Sequence, residues 1–208
     1  MPMQATEMNY IGDLGGRLKY IVAVGHLLMV APHPLILGLG SLVAGSGWTL
    51  MRRRLAAATG VMLAVYGILV EALALLLMLS ESSLPLAWTS LVVVVNSPFA
   101  VMLALAVLTG ICANGLLAAS LFKAAESYNS RLFRCAGVSA VFVVALTIFT
   151  AIVMLVASTM SIPPDAIPPR GELVASTFTM SVGALITISC LCNAMAGAGF
   201  LTAKPPES

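Results

Sequence analysis

The sequence predicts an all-α, polytopic transmembrane helix bundle of about six helices with both termini in the cytoplasm, and three observations carry that expectation. Hydrophobic residues make up 60% of the 208-residue chain and charged residues 9%, with a mean hydropathy of +1.05. A water-soluble domain carries about 25% charged residues. The apolar residues also fall in blocks of about 20, the length that crosses a bilayer, separated by short polar joints. Finally, the basic residues gather at alternate joints, which is how multi-pass proteins orient. The whole chain, 1–208, reads as a single transmembrane domain with little left over for a soluble catalytic unit.

The N-terminal stretch contains Glu7 and Asp13 and lacks a basic start followed by an apolar core, so the first hydrophobic segment is expected to be retained rather than cleaved. Apolar sequence then runs from 18 to 51, too long for one comfortable crossing, and is interrupted by Ala31-Pro32-His33-Pro34. Proline lacks an N–H donor and disfavours helix at the residue before it. The run is therefore a hairpin between helices at about 18–31 and 34–51, or a kink in one helix, which gives five spans in place of six. Charge arbitrates. With six spans Arg17, Lys19, Arg52, Arg53, Arg54, Lys123, Arg131, Arg134 and Lys204 share one side, leaving only Arg170 opposite; with five, Arg17 and Lys19 change sides. Six is the preferred count, with Lys19 and Tyr20 snorkelling at the inner end of a short first helix.

The remaining spans are expected at about 55–80, 98–122, 133–160 and 173–201. Residues 84–96, with Trp88, are too short to span and belong to the outer interface or to a bent start of the fourth helix. The cytoplasmic loop is expected at 123–134, and a stiff outer connector at 161–171, where Pro163-Pro164 and Pro168-Pro169 favour extended chain. Trp48 and Trp88 are placed at the inner and outer interfaces, as membrane aromatics tend to be. Arg54-Leu55 with Gly60-Val61 echoes Arg131-Leu132 with Gly137-Val138, through duplication of a helical hairpin or through coincidence in a biased composition.

Small residues four apart, such as Gly40 with Ala44, Ser41 with Gly45, Gly115 with Ala119 and Ala194 with Ala198, let helices approach closely. They serve contacts within the bundle or with another subunit. Cys112, Cys135, Cys190 and Cys192 lie in or beside apolar segments and read as small core residues, with no disulfide framework and no metal pair.

Four residues stand out chemically. Glu71 falls about 14 Å into a span, near the midplane, where a carboxylate costs a few kcal/mol unless protonated or paired. It is a candidate proton or ion site, or else a structural acid bonded to a neighbouring helix. His26, a few residues below the hairpin, is placed to pair with Glu71 as part of that site, while His33 belongs to the hairpin itself. Asn114 and Asn193, with the hydroxyls of the last helix, line a candidate polar path or hold helices together. His26 and His33 are seven residues apart, about 10.5 Å along one helix, too far to be the two axial ligands of one haem b. Haem with a Met ligand, or shared between subunits, is the remaining cofactor possibility; otherwise none is expected. No phosphate loop, nucleophile elbow, catalytic carboxylate pair or zinc-protease motif occurs, which disfavours an enzyme. A net charge of +2 without a basic block interleaved with aromatics argues against nucleic acid.

Leu14-Gly15-Gly16 before a short helix, a proline hairpin and Leu37-Gly38-Leu39-Gly40, together with Tyr128-Asn129-Ser130-Arg131-Leu132-Phe133-Arg134-Cys135-Ala136-Gly137, resemble an archaeal family of small multi-pass membrane proteins of unknown function. The resemblance implies an archaeal plasma membrane and assigns no site residue. The leading functional expectation is a non-catalytic subunit or scaffold, partnered by the bilayer and by other membrane subunits or copies of itself. A small transporter or channel using Glu71 is the alternative, and a haem-binding electron carrier the third.

Overall fold

The computed structural model describes residues 18–51, 54–79, 100–159 and 169–203, with backbone alone for 76–79, 100, 157–159 and 169–175. Six helices are present among the described residues: α1 (Leu18–Leu28), α2 (Pro34–Leu50), α3 (Arg54–Leu79), α4 (Ala100–Tyr128), α5 (Arg131–Thr159) and α6 (Pro169–Thr202). Of these, α3 to α6 are long and apolar enough to cross a membrane. The residues from 84 to 96, with Trp88, and the Leu14-Gly15-Gly16 run lie outside the described residues, as do Arg17, Arg52, Arg53 and Lys204.

The proline run is a hairpin, not a kink. Turn-type bonds from Val30 N to Leu27 O (3.2 Å) and Ala31 N to Leu28 O (3.1 Å) end α1 three residues earlier than the sequence suggests. Pro32 enforces that stop by disfavouring helix at Ala31. His33 is extended (φ −115°, ψ 125°), and Pro34 opens α2 at the position where its missing N–H costs nothing. Both hairpin helices are short. With 11 and 17 residues they rise about 16 and 26 Å, against a hydrocarbon core of about 30 Å.

The expected loop at 123–134 is instead mostly helix. Ala124 and Ala125 are strong helix formers and are buried, so α4 continues to Tyr128. Asn129 then takes a left-handed conformation (φ 46°), and Ser130 N bonds Ala125 O at 3.2 Å, closing the helix end. Arg134 N returns to Ser130 O at 3.3 Å, so α5 starts after a two-residue joint. At the other end of α6 the helix begins at Pro169 rather than 173, because proline's fixed φ suits a first helical position.

Each helix packs against its neighbours in sequence, and α6 returns against α1, so the bundle closes into a ring. Lys19 Nζ donates to Ala203 O at 3.3 Å, which sets the start of α1 beside the end of α6, and lies 5.1 Å from the centre of the Tyr20 ring. Rings of Tyr128, Phe133 and Phe200 touch in turn, so the α4–α5 joint shares that end. Lys19, Arg54, Lys123, Arg131 and Arg134 are therefore gathered at one end of the bundle and the Pro32–Pro34 tip points towards the other.

Glycine makes the close packing possible, and α2 is the clearest case. A Cβ on Gly40 would lie 2.8 Å from Gly25 O of α1, while one on Gly45 would lie 2.7 Å from Gly60 O of α3. One short helix is thus in backbone contact on two sides, the small-residue packing that replaces the hydrophobic drive in lipid. Gly60 and Gly137, equivalent in the sequence echo, each meet the helix that precedes theirs, through Thr49 and Phe122. Large apolar side chains such as Ile68, Val101, Leu155 and Met180 face outward instead.

Candidate functional site

Inside the end of the bundle that gathers the basic residues, the core is built of aromatic and small side chains. Trp48, expected at the interface, is 1% exposed and points inward from the last turn of α2. Its ring lies edge-on to Phe200 at 5.2 Å, and Phe200 in turn packs on Phe133 at 4.9 Å. The close approach of α1 and α2 turns the Trp48 side chain into the core rather than along the lipid surface.

His26 sits at the centre of this cluster with no exposure. Its Nε2 receives the indole N–H of Trp48 at 3.1 Å, and its Nδ1 lies 2.8 Å from Asn193 Oδ1. An indole nitrogen can only donate, so Nε2 must be the acceptor and Nδ1 carries the hydrogen. The network therefore has one direction: Trp48 donates to His26, His26 to Asn193, and Asn193 Nδ2 to Ser189 O at 2.9 Å. Four polar groups are satisfied at once, and α1, α2 and α6 are tied together.

The structure thus brings His26 to Asn193 and not to Glu71. Both ring nitrogens of His26 are occupied, so the expected hydrogen-bonded pair with Glu71 does not form. Glu71 lies on the other side of α2, half-buried, where a Cβ on Gly38 would meet its Cγ at 2.5 Å and its Oε1 at 2.7 Å. The carboxyl packs in the space Gly38 leaves, one turn inside the N-terminus of α2.

Asn114 and Asn193 are likewise apart. Asn114 donates to Gly110 O of its own helix at 2.9 Å and lines a central cavity, whereas Asn193 is buried against His26. Of the hydroxyls on α6, Ser181 and Thr187 bond back to Phe178 O and Gly183 O. A second polar link joins α3 to α4, with Thr59 and Ser120 hydroxyls 2.8 Å apart. The cysteines are free; Cys192 contacts Ala136 O at 3.3 Å and Cys190 contacts Val30 O at 3.1 Å, while Cys112 and Cys135 are exposed on the outer surface of the bundle.

Beyond this core, towards the hairpin tip, lies a partly open cavity of about 530 Å³ lined by the hairpin turn, the start of α2 and helices α3 to α6. Tyr66, Asn114, Thr147 and Ser189 supply its few polar groups, with His33 at the hairpin.

A haem does not fit His26, since coordination through either nitrogen would strip Trp48 or Asn193 of its partner; His33 is exposed on the hairpin. Among the described residues no group of three or more His, Cys, Asp or Glu comes together. Comparison with protein-family models, with curated proteins and with solved structures finds no match.

Two of these partnerships escape sequence reading. Trp48 is one, though the hairpin geometry pairs Val22 with Gly47 and Gly25 with Ala44 and so brings Trp48 within reach of His26. The other, Asn193 with His26, depends on α6 closing the ring, which no local pattern announces.

Proposed function

We propose that the protein is a non-catalytic subunit or scaffold of a membrane assembly. One observation carries this reading. Among the described residues every buried side-chain nitrogen and oxygen has a hydrogen-bond partner, and the buried His26 spends both of its nitrogens on the bundle's own packing. A catalyst or proton carrier needs a group free to exchange partners, and this core is arranged to hold its groups still. The outer surface of α4 supports the reading: Cys112, Gly115 and Ala119 are exposed there at helical spacing, and a Cβ on Gly115 would meet nothing within 4 Å. Small residues on a lipid-facing surface let a second helix approach.

A second reading, a small transporter or channel with Glu71 as its proton or cation site, is favoured by the half-buried carboxyl about two-thirds of the way along α3, outside the His26 network. It expects Glu71→Gln to abolish flux in proteoliposomes while leaving assembly intact. Charge supports an orientation in which the end holding Lys19, Arg54, Lys123, Arg131 and Arg134, with the start of α1 and the end of α6, faces the cytoplasm. The resemblance in the sequence is what supports an archaeal plasma membrane as the location.

The test is purification in a gentle detergent, with mass spectrometry of what remains bound. Stoichiometric partner chains, or a homo-oligomer joined through α4, are expected. A lone monomer with Glu71-dependent flux would replace this reading with the second.

A further inference from the structure

We propose that the central cavity is a binding site for an uncharged amphipathic lipid, one with a small hydrogen-bonding head and an aliphatic chain. The inference does not depend on the subunit reading.

The cavity lies where lipid can reach it. The α1–α2 hairpin is short, and Cys190 of α6 meets Val30 at its tip. From there α6 runs on about 20 Å towards Ser176 without α1 beside it. The wall past the hairpin is made by α3, α4, α5 and α6, with Pro32, His33 and Pro34 at its margin.

Polarity along the wall is graded on α3, α4 and α6; on α5 the order is reversed, Val143 lying inward of Thr147, whose hydroxyl donates to Val143 O at 2.7 Å. On α4 the inner end of the lining is Asn114, and Gly110, Val107, Ala106 and Leu103 follow outward. The lining of α6 starts at Cys190 and Ser189 and continues with apolar side chains to Val182; that of α3 has Tyr66 near its inner end, then Val70 and Leu73. Asn114 uses one N–H on Gly110 O, which leaves the other N–H and the lone pairs of Oδ1 for a head group. An aliphatic chain fits the remainder.

Among the described residues no Asp, Glu, Lys or Arg contributes to the lining. An ionised head would lose its hydration with nothing to replace it. Water alone is poorly served too, because a stable buried water needs two to four polar partners and most of this wall offers none. The volume, about 530 Å³, is within the range of ligand pockets, about 300–1,000 Å³. Since a bilayer already dissolves the chain, selectivity falls to the head group at Asn114, Tyr66 and Ser189.

The full-length protein in lipid nanodiscs is labelled with a fatty alcohol carrying a diazirine and an alkyne, and the sites are mapped by mass spectrometry. Expected are saturable labelling on cavity residues of α3, α4 and α6, and competition by oleyl alcohol at least about tenfold better than by oleate. Ala106→Phe, which fills the cavity, removes that labelling, and Val107→Phe serves if the first variant does not fold. Leu108→Phe on the outer face leaves it unchanged. Asn114→Leu keeps the labelling but lowers the advantage of oleyl alcohol over hexadecane about fivefold, the worth of one hydrogen bond. Labelling confined to outward residues such as Leu108, Val141 and Leu155, or equal competition by oleate, overturns the proposal on the native protein alone.

Discussion

Nδ1 of His26 lies 2.8 Å from Oδ1 of Asn193, joining the first helix of the bundle to the last across 167 residues of sequence. With Trp48 donating to the other ring nitrogen, this bond closes the ring of helices. Asn193→Leu keeps the volume and removes the acceptor, leaving a buried N–H orphaned. The expected loss is about 1–3 kcal/mol of stability, measured by reversible unfolding in mixed micelles. His26→Phe combined with Asn193→Leu should lose less than the sum of the two single changes, because the pair is coupled.

Close backbone contact makes a second prediction quantitative. Gly45→Leu would push its Cβ into Gly60 O and Ala64 of α3, all backbone or short side chain with no room to yield. A cost of about 3 kcal/mol or more is expected, at the upper end for overpacking, and seen as loss of folded yield and a lowered Tm. Gly115→Leu is the internal contrast, since nothing stands near its Cβ, and its monomer should melt within a few degrees of the unaltered one.

Glu71→Gln tests the alternative function. Glutamine has nearly the same shape and fills the space beside Gly38, so fold and assembly should be unchanged. On the subunit reading flux is also unchanged, because no conducting role is lost; a collapse of flux with normal assembly supports the transporter.

The hairpin makes a topological prediction. In a background with the four cysteines replaced, His33→Cys at the tip and Glu126→Cys near the end of α4 should react with membrane-impermeant maleimide from opposite faces of sealed vesicles. Both positions are exposed. Reaction from the same face would contradict the alternating course of α1 to α4.

Much of this architecture is legible in the sequence. Apolar length finds α3 to α6 and the apolar run 18–51, two prolines mark where that run breaks, because proline acts through its own ring and the residue before it, and the distribution of charge favours a hairpin there over a kink. Tyr128-Asn129-Ser130 reads in the sequence as part of a polar loop but is a helix terminus followed by a helix start, a distinction that depends on Ala124 and Ala125 being buried, a tertiary fact. The candidate site was half legible. His26 and Asn193 stand out as polar residues in apolar helices, yet which polar residue meets which depends on ring closure. Depth alone pairs Glu71 with His26, and depth says nothing about which side of α2 each side chain occupies. Trp48 reads as an interface aromatic for the same reason: position along a helix sets depth, while only packing sets direction.

The most direct test of the subunit reading is native mass spectrometry of the gently extracted protein beside its Gly115→Leu variant. The account predicts a stoichiometric complex for the unaltered chain and a folded but released monomer for the variant, since its new side chain stands on the open face of α4 and touches nothing within the bundle. A chain that is monomeric before the substitution, or a complex that survives it unchanged, would contradict the claim that this face of α4 holds a partner.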